Sequence, residues 1–302
     1  MLINPSQAHQ ARLLVAITFH YRKQRLQYLF QVIKSLSCFP IAALDIVVAT
    51  NTIQAEEIES IKRMCGPLVG FAMESSTCFK SIEVRSFPGL INPLHLPWAH
   101  KHLILDQFLN AGGEYTHYLY LEGDIEFSFT NFLYFLKYRP PLRRLGLLPS
   151  FLRVEYGFAD DQLYCTDQVG IVRTDNRPVV KLDGLWFVNV DNPYNAMFML
   201  DDELAREYVT SRSFGMETSS DVHRWDVRER AAMGLCFENV PNGFFSRYVI
   251  PINPIDRTVP SFSYLYHTPN NYANDPDGPF GKILMTRLFL PGGRSAVAAQ
   301  TL

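Results

Sequence analysis

Short continuous apolar runs alternate with segments of helical period along the first part of the chain, and this alternation restricts the fold more than any other feature. Residues 13–19 are apolar except for Thr18, the pattern of a strand buried on both faces. Residues 23–36 place Leu26, Leu29, Phe30, Ile33 and Leu36 at the spacing of one helix face. The same succession returns at 44–50 and 55–64, then at 82–87 and 97–109, and a fourth strand follows at 117–121. Strand and helix alternating in units of about 30 residues predict α/β architecture, a mostly parallel Rossmann-like sheet with helices on both faces.

Beyond residue 127 the pattern is less regular. A helix at 129–138 is expected to stop at Pro140-Pro141, with strands at 145–154, 170–173 and 186–190. Asn192 and Pro193 set the first turn of a helix expected at 193–209, and a last helix is expected at 226–235. With no linker or internal repeat, residues 1–302 read as a single domain of two halves, 11–127 and 128–290, with a flexible tail at 291–302.

Composition limits the partners. Twenty-eight Lys and Arg against 30 Asp and Glu leave a net charge of −2, so nucleic acid is not an expected partner and anionic ligands must be bound locally. The longest apolar stretches fall well short of the roughly 20 residues of a membrane span, and residues 1–12 lack the layout of a signal peptide; a cytoplasmic protein is expected. Cys38, Cys65, Cys78, Cys165 and Cys236 are odd in number and scattered, which speaks for reduced thiols rather than a disulfide framework. The 22 Phe and 15 Tyr either fill the core or line sites for rings such as sugars and bases.

The most informative stretch is Tyr118-Leu119-Tyr120-Leu121-Glu122-Gly123-Asp124. Here an apolar strand ends on two acidic residues, and ligands of open α/β sheets bind outside the carboxyl ends of strands. Glu122 and Asp124, two positions apart, point the same way, with Gly123 allowing close backbone approach. Two carboxylates so placed suit a hard divalent cation, which can in turn hold a diphosphate; the plainer alternative is a polar turn after a strand.

This motif, in a chain whose first strand ends in Thr18-Phe19-His20-Tyr21-Arg22, resembles the metal-dependent GT-A fold glycosyltransferases. Their Asp-x-Asp motif is matched by Glu122-Gly123-Asp124, with Glu in the first position. The resemblance implies a Mn²⁺ or Mg²⁺ cofactor held by Asp124 with Glu122, and by His267, which ends the aromatic strand Ser263-Tyr264-Leu265-Tyr266-His267. Carboxylates mixed with an imidazole favour Mn²⁺ somewhat. It further implies that Thr18, His20, Arg22 and Asn51 meet the base and ribose of a sugar nucleotide, beside Glu122 and Gly123, although Arg22 also fits as decoration of the following helix.

His100 and Lys101 begin the helix before the fourth strand and are expected to meet phosphate or ribose oxygens, unless they form an exposed helix start over Trp98. His95, His100 and His102 lack cysteine or acidic partners at ligand spacing, so zinc is not expected. An inverting transferase needs a base for the acceptor hydroxyl. The family draws it from the start of a late helix, where Asp226 and Glu229 stand beside Trp225; the same pair also reads as a helix cap with its reciprocal partner. Residues 270–281, with Asp275 and Asp277, suggest a loop able to close over the donor. Residues 137–144 form the one dense basic run, a solvated face or a peripheral contact with anionic lipid at the inner face of a membrane.

The resulting expectation is an inverting, Mn²⁺- or Mg²⁺-dependent glycosyltransferase. It would move a sugar from a nucleotide diphosphate donor to a hydroxyl of a glycan or lipid-linked glycan, in synthesis of bacterial surface polysaccharide such as O-antigen or capsule. A retaining transferase or nucleotidyltransferase on a similar sheet is one alternative; a non-catalytic nucleotide- or sugar-binding protein is another.

Overall fold

The computed structural model describes residues 8–70, 79–110, 112, 114–175, 177–222, 225–290 and 299–301. In chain order the principal elements are β1 (Arg12–Phe19), α1 (Leu26–Ser37), β2 (Ala43–Thr50), α2 (Ala55–Gly70), β3 (Phe79–Ser86), β4 (His117–Glu122), α3 (Phe129–Arg143), β5 (Leu152–Tyr156), β6 (Leu163–Cys165), β7 (Val179–Leu182), β8 (Leu185–Val188), β9 (Met197–Asp201), α4 (Asp202–Thr210), α5 (Val227–Ala231), β10 (Tyr248–Ile252), β11 (Tyr264–His267) and α6 (Asn271–Asn274). The architecture is mixed α/β, with both parallel and antiparallel strands. No helix among the described residues is long and apolar enough to cross a membrane.

The chain divides into two compact units, one drawn from Asn4–Phe129 and Ala196–Leu235, the other from Thr130–Asn195 and Cys236–Leu302. The expected division at 127/128 lies close to the first crossing, but residues 196–235 return to the first unit. That return carries Asp226 and Glu229 out of the half in which an acceptor site was expected.

In the first unit a five-stranded sheet runs β3-β2-β1-β4-β9. β1 to β4 are parallel, as the alternation of strand and helix requires, and β9 closes the β4 edge antiparallel, Met197 opposite Leu121. Leu13 to Ile17 and Tyr118 to Leu121 are fully buried, which accounts for their uninterrupted apolar character. The helix expected at 193–209 is corrected: Met197–Asp201 is a strand and only Asp202–Thr210 is helical. Met197-Phe198-Met199-Leu200 covers the open edge of β4, and Asp201 then caps α4 by accepting from the Leu204 N–H at 2.8 Å. Residues 93–109, expected as one helix from 97, are a 3₁₀ segment, a single α turn and a π turn in succession. Pro97, which lacks a donor, sits within the 3₁₀ part.

In the second unit β6 pairs antiparallel with β5, β5 parallel with β11, and β7, β8 and β10 form an antiparallel run. Leu152, Val154, Cys165, Val188, Ile250 and Leu288 are buried together. The strand expected at 145–154 is two pieces, Leu148–Pro149 and β5. The expected stop of α3 at Pro140-Pro141 is also corrected, because the helix continues to Arg143. Near a helix end few carbonyls lose a partner to proline, and burial of Tyr138, Arg139 and Leu142 holds the last turn. The helix expected at 226–235 shortens to α5. Cys65, Cys165 and Cys236 are buried thiols and Cys38 is exposed; Cys78 and most of the expected tail lie outside the described residues.

Candidate functional site

The acidic motif lies at the carboxyl ends of β1 and β4. Thr18 stands opposite Glu122 in the parallel register, and the Gly123 N–H donates to the Thr18 carbonyl at 2.9 Å. A Cβ at residue 123 would meet Phe19 Cδ2 at 3.0 Å and the Thr18 carbonyl oxygen at 3.1 Å, so glycine is what lets the strand end turn this closely. Asp124 is 4% exposed, and its Oδ2 accepts from the guanidinium of Arg25, a side chain that is 39% exposed. Thr18 Oγ1 faces the hydroxyl of Tyr120, and neither forms a well-made hydrogen bond.

The loop after β1 is organised by Asn51, whose Oδ1 accepts from the Tyr21 N–H at 3.0 Å. Arg22, in extended backbone, is exposed, and His20 is half-buried. Burial, together with the charges of Arg22 and Arg25, holds the His20 imidazole below its ordinary value, toward the neutral form. Thr18, His20, Arg22, Asn51, Glu122, Gly123 and Asp124 therefore belong to one unit and to the carboxyl-end side of one sheet.

Asp226 and Glu229 form a full capping box on α5: Asp226 Oδ1 accepts from the Arg228 N–H, and Glu229 Oε2 from the Asp226 N–H, each at 3.0 Å. The Arg228 Nε also donates to Asp226 Oδ1 at 3.0 Å. The backbone hydrogen bond from Arg228, seconded by its side chain, holds the Asp226 carboxyl below the usual aspartate value. Asp226 and Glu229 belong to the same unit as the acidic motif.

His100 and Lys101 are both buried and do not form an exposed helix start. His100 is fully buried, Nδ1 within 2.9 Å of the Tyr118 hydroxyl and Nε2 3.4 Å from the Ala231 carbonyl of α5. The Lys101 Nζ donates to the Tyr208 hydroxyl and the Ser213 carbonyl and lies over the rings of Trp98, Tyr208 and Phe214. The expected phosphate contacts are corrected to a scaffolding role: aromatic burial outcompetes exposure at this helix start, and Trp98 Nε1 donates to the Val227 carbonyl at 2.8 Å, anchoring α5. Part of the aromatic surplus is spent here, with Tyr120 stacked on Phe198 at 5.3 Å.

A cavity of about 330 Å³ opens in the same unit, but Leu14, Asp45, Glu83 and Asp106 line it, toward the amino-terminal halves of β1 to β3 and away from the motif. The site is therefore placed by its chemistry and not by this cavity.

In the second unit sequence reasoning found His267 and missed its surroundings. Glu155, fully buried on β5, takes His267 Nδ1 on Oε1 and accepts the Ala273 N–H on Oε2 at 2.6 Å. Any ligand role of His267 thus falls to Nε2. The Tyr272 ring stacks on His267 at 5.2 Å. Arg153, two residues before Glu155 on the same face of β5, donates through Nε to Asp167 Oδ2 at 2.8 Å, and its guanidinium lies over the rings of Tyr194 and Tyr272. The signal was available in the strand Leu152-Arg153-Val154-Glu155-Tyr156, where charges alternate inside an apolar segment. The basic run at 137–144 is only partly a surface: Arg139 is buried and Lys137 pairs with Asp183 at 3.0 Å, which leaves Arg143 and Arg144 exposed.

No protein-family model matches this chain, and no curated protein matches it either. Among the described residues no group of three His, Cys, Asp or Glu side chains is arranged to hold a metal ion. The motif still fits a divalent cation in kind. Mg²⁺-type sites use one or two carboxylates and leave the remaining positions to water and substrate phosphates, and a positive group, Arg25, already sits on Asp124.

Proposed function

We propose that this chain is a GT-A-like glycosyltransferase that moves a sugar from a nucleotide diphosphate donor to a hydroxyl of a glycan or lipid-linked glycan. One observation carries the reading: Glu122-Gly123-Asp124 ends β4 where the strand order reverses, β2 and β3 continuing on one side of β1 and β4 on the other. Crevices of open α/β sheets form at that reversal. Thr18, His20, Arg22 and Asn51 would contact the nucleoside. Asp226, or Glu229 in its place, would take the proton of the acceptor hydroxyl as its oxygen attacks the anomeric carbon and the bond to the diphosphate breaks. Asp124 and Glu122 would hold a Mn²⁺ or Mg²⁺ that offsets the charge growing on the leaving diphosphate. The setting that fits is cytoplasmic synthesis of bacterial surface polysaccharide, an analogy of fold and site.

The test is a screen of sugar nucleotides for thermal stabilisation with and without Mn²⁺, followed by turnover of the donor that binds. Asp124→Ala is expected to abolish Mn²⁺-dependent stabilisation, and Asp226→Asn to lower kcat by about 10²- to 10⁴-fold with donor binding retained. Donor binding indifferent to chelator and to Asp124→Ala would refute the reading. A second reading, a retaining transferase, draws on the commitment of Asp226 and Glu229 to the α5 cap; full turnover by Asp226→Asn and by Glu229→Gln would select it.

A further inference from the structure

Asp124 of the acidic motif is paired with a guanidinium of the protein's own, because Arg25 donates to it. Arg25 closes the 3₁₀ turn Lys23–Arg25 at the foot of α1, in the same loop as His20 and Arg22. Asp124 is almost wholly buried while Arg25 is 39% exposed on its side chain, so the guanidinium forms the solvent-side face of the pair. A cation approaching Asp124 from solvent meets Arg25 first.

The geometry points to Arg25 as an exchangeable counter-charge: it occupies the cation's place on Asp124 in the free protein and transfers to the donor diphosphate when a divalent cation takes Asp124. The inference rests on the reading that Asp124 accepts such a cation. No covalent bond changes; one ion pair is exchanged for two. A guanidinium released from a carboxylate suits this, because its planar donor fork matches the paired oxygens of a phosphate as well as those of a carboxylate. The consequence is coupling. A cation alone must displace Arg25 without a new partner for it, and a nucleoside diphosphate alone finds Arg25 engaged. Together they satisfy every charge, so each strengthens the other by the same factor.

The measurement is Mn²⁺ affinity of the full chain by titration calorimetry and electron paramagnetic resonance, alone and with saturating uridine or guanosine diphosphate as probes. For the unaltered protein at least one diphosphate is expected to tighten Mn²⁺ binding by about 10-fold or more, within the usual range of coupling between sites. Arg25→Gln is expected to bind Mn²⁺ alone about 10-fold more tightly than the unaltered protein, and to lose most of the diphosphate effect. Arg25→Lys, which keeps the charge, is expected to retain weak binding of Mn²⁺ alone, and adding Asp124→Asn to Arg25→Gln to remove the gain. Three results would overturn the inference: Mn²⁺ affinity that neither diphosphate changes, affinity unchanged or weaker in Arg25→Gln, or no Mn²⁺ binding to the unaltered protein with or without diphosphate. The first and third are read on the unaltered chain, so the inference remains testable even if Arg25→Gln does not fold. Donor turnover is not the readout. An absent Arg25 effect with turnover intact leaves the transferase reading standing, and an intact effect with no turnover removes the transferase reading alone.

Discussion

Gly123 is the residue on which the motif's shape depends most directly. Adding one methyl there presses on the Thr18 carbonyl at 3.1 Å, and a backbone atom cannot rotate away as a side-chain tip can. Gly123→Ala is therefore expected to cost about 1–3 kcal/mol in chemical denaturation and to weaken donor binding. Asp226 gives a pH signature. Its carboxyl is held low by the Arg228 hydrogen bonds, so it stays ionised as pH falls through the ordinary aspartate range. If Asp226 is the base, the acid limb of kcat/KM is expected below that range, and Arg228→Gln, which keeps the stronger backbone bond, is expected to move the limb upward. His100 sets a second pH effect, on stability. Burial holds its imidazole well below 6.5, and His117 is lowered to about 4 by burial. Below pH 6.5 the unfolded chain takes up protons that the folded chain refuses, so unfolding free energy is expected to fall between about pH 6.5 and 4 and to vary little just above that window. His100→Gln should flatten this slope in denaturant titrations run at several pH values.

The β5 strand carries Arg153 and Glu155 on one face; Arg153 has its charge matched by Asp167, and Glu155 is hydrogen-bonded by His267 and the α6 backbone. Removing one partner of a buried ion pair leaves the other uncompensated. Asp167→Asn is expected to destabilise by about 3–5 kcal/mol, more than the double change Arg153→Met with Asp167→Leu, which removes both charges. Two-state denaturation of both variants checks the order. The segment before β4 shows the same logic with rings in place of an acid: Trp98, Tyr208 and Phe214 surround the Lys101 amine. The helical period of 23–36 and 55–64, and the apolar runs that became β1, β2 and β4, were readable because burial there follows local spacing. Residues 193–209 misread because the apolar run Met197–Leu200 suits a helix or a strand equally, and the choice was made by the open edge of β4.

The first unit is assembled from two separated stretches of chain, and its sheet is complete only when β9 pairs with β4. A chain ending at residue 129 is expected to lose the α4 and α5 contributions and to expose the β4 edge with Tyr118 to Leu121. Far-UV circular dichroism and light scattering should report an aggregating product, whatever the integrity of β1 to β3.

Local pattern was enough to determine that β1 to β4 form a parallel sheet and that Glu122, Gly123 and Asp124 end one of its strands, because strand burial and side-chain alternation are written into adjacent residues. Long-range pairing decided the rest. Arg25 reaches an aspartate 99 positions away, Glu155 meets a histidine 112 positions away, and residues 196–235 return to the first unit. No spacing rule reports contacts of that span, since they are selected by which charges and edges remain unsatisfied once the elements have packed.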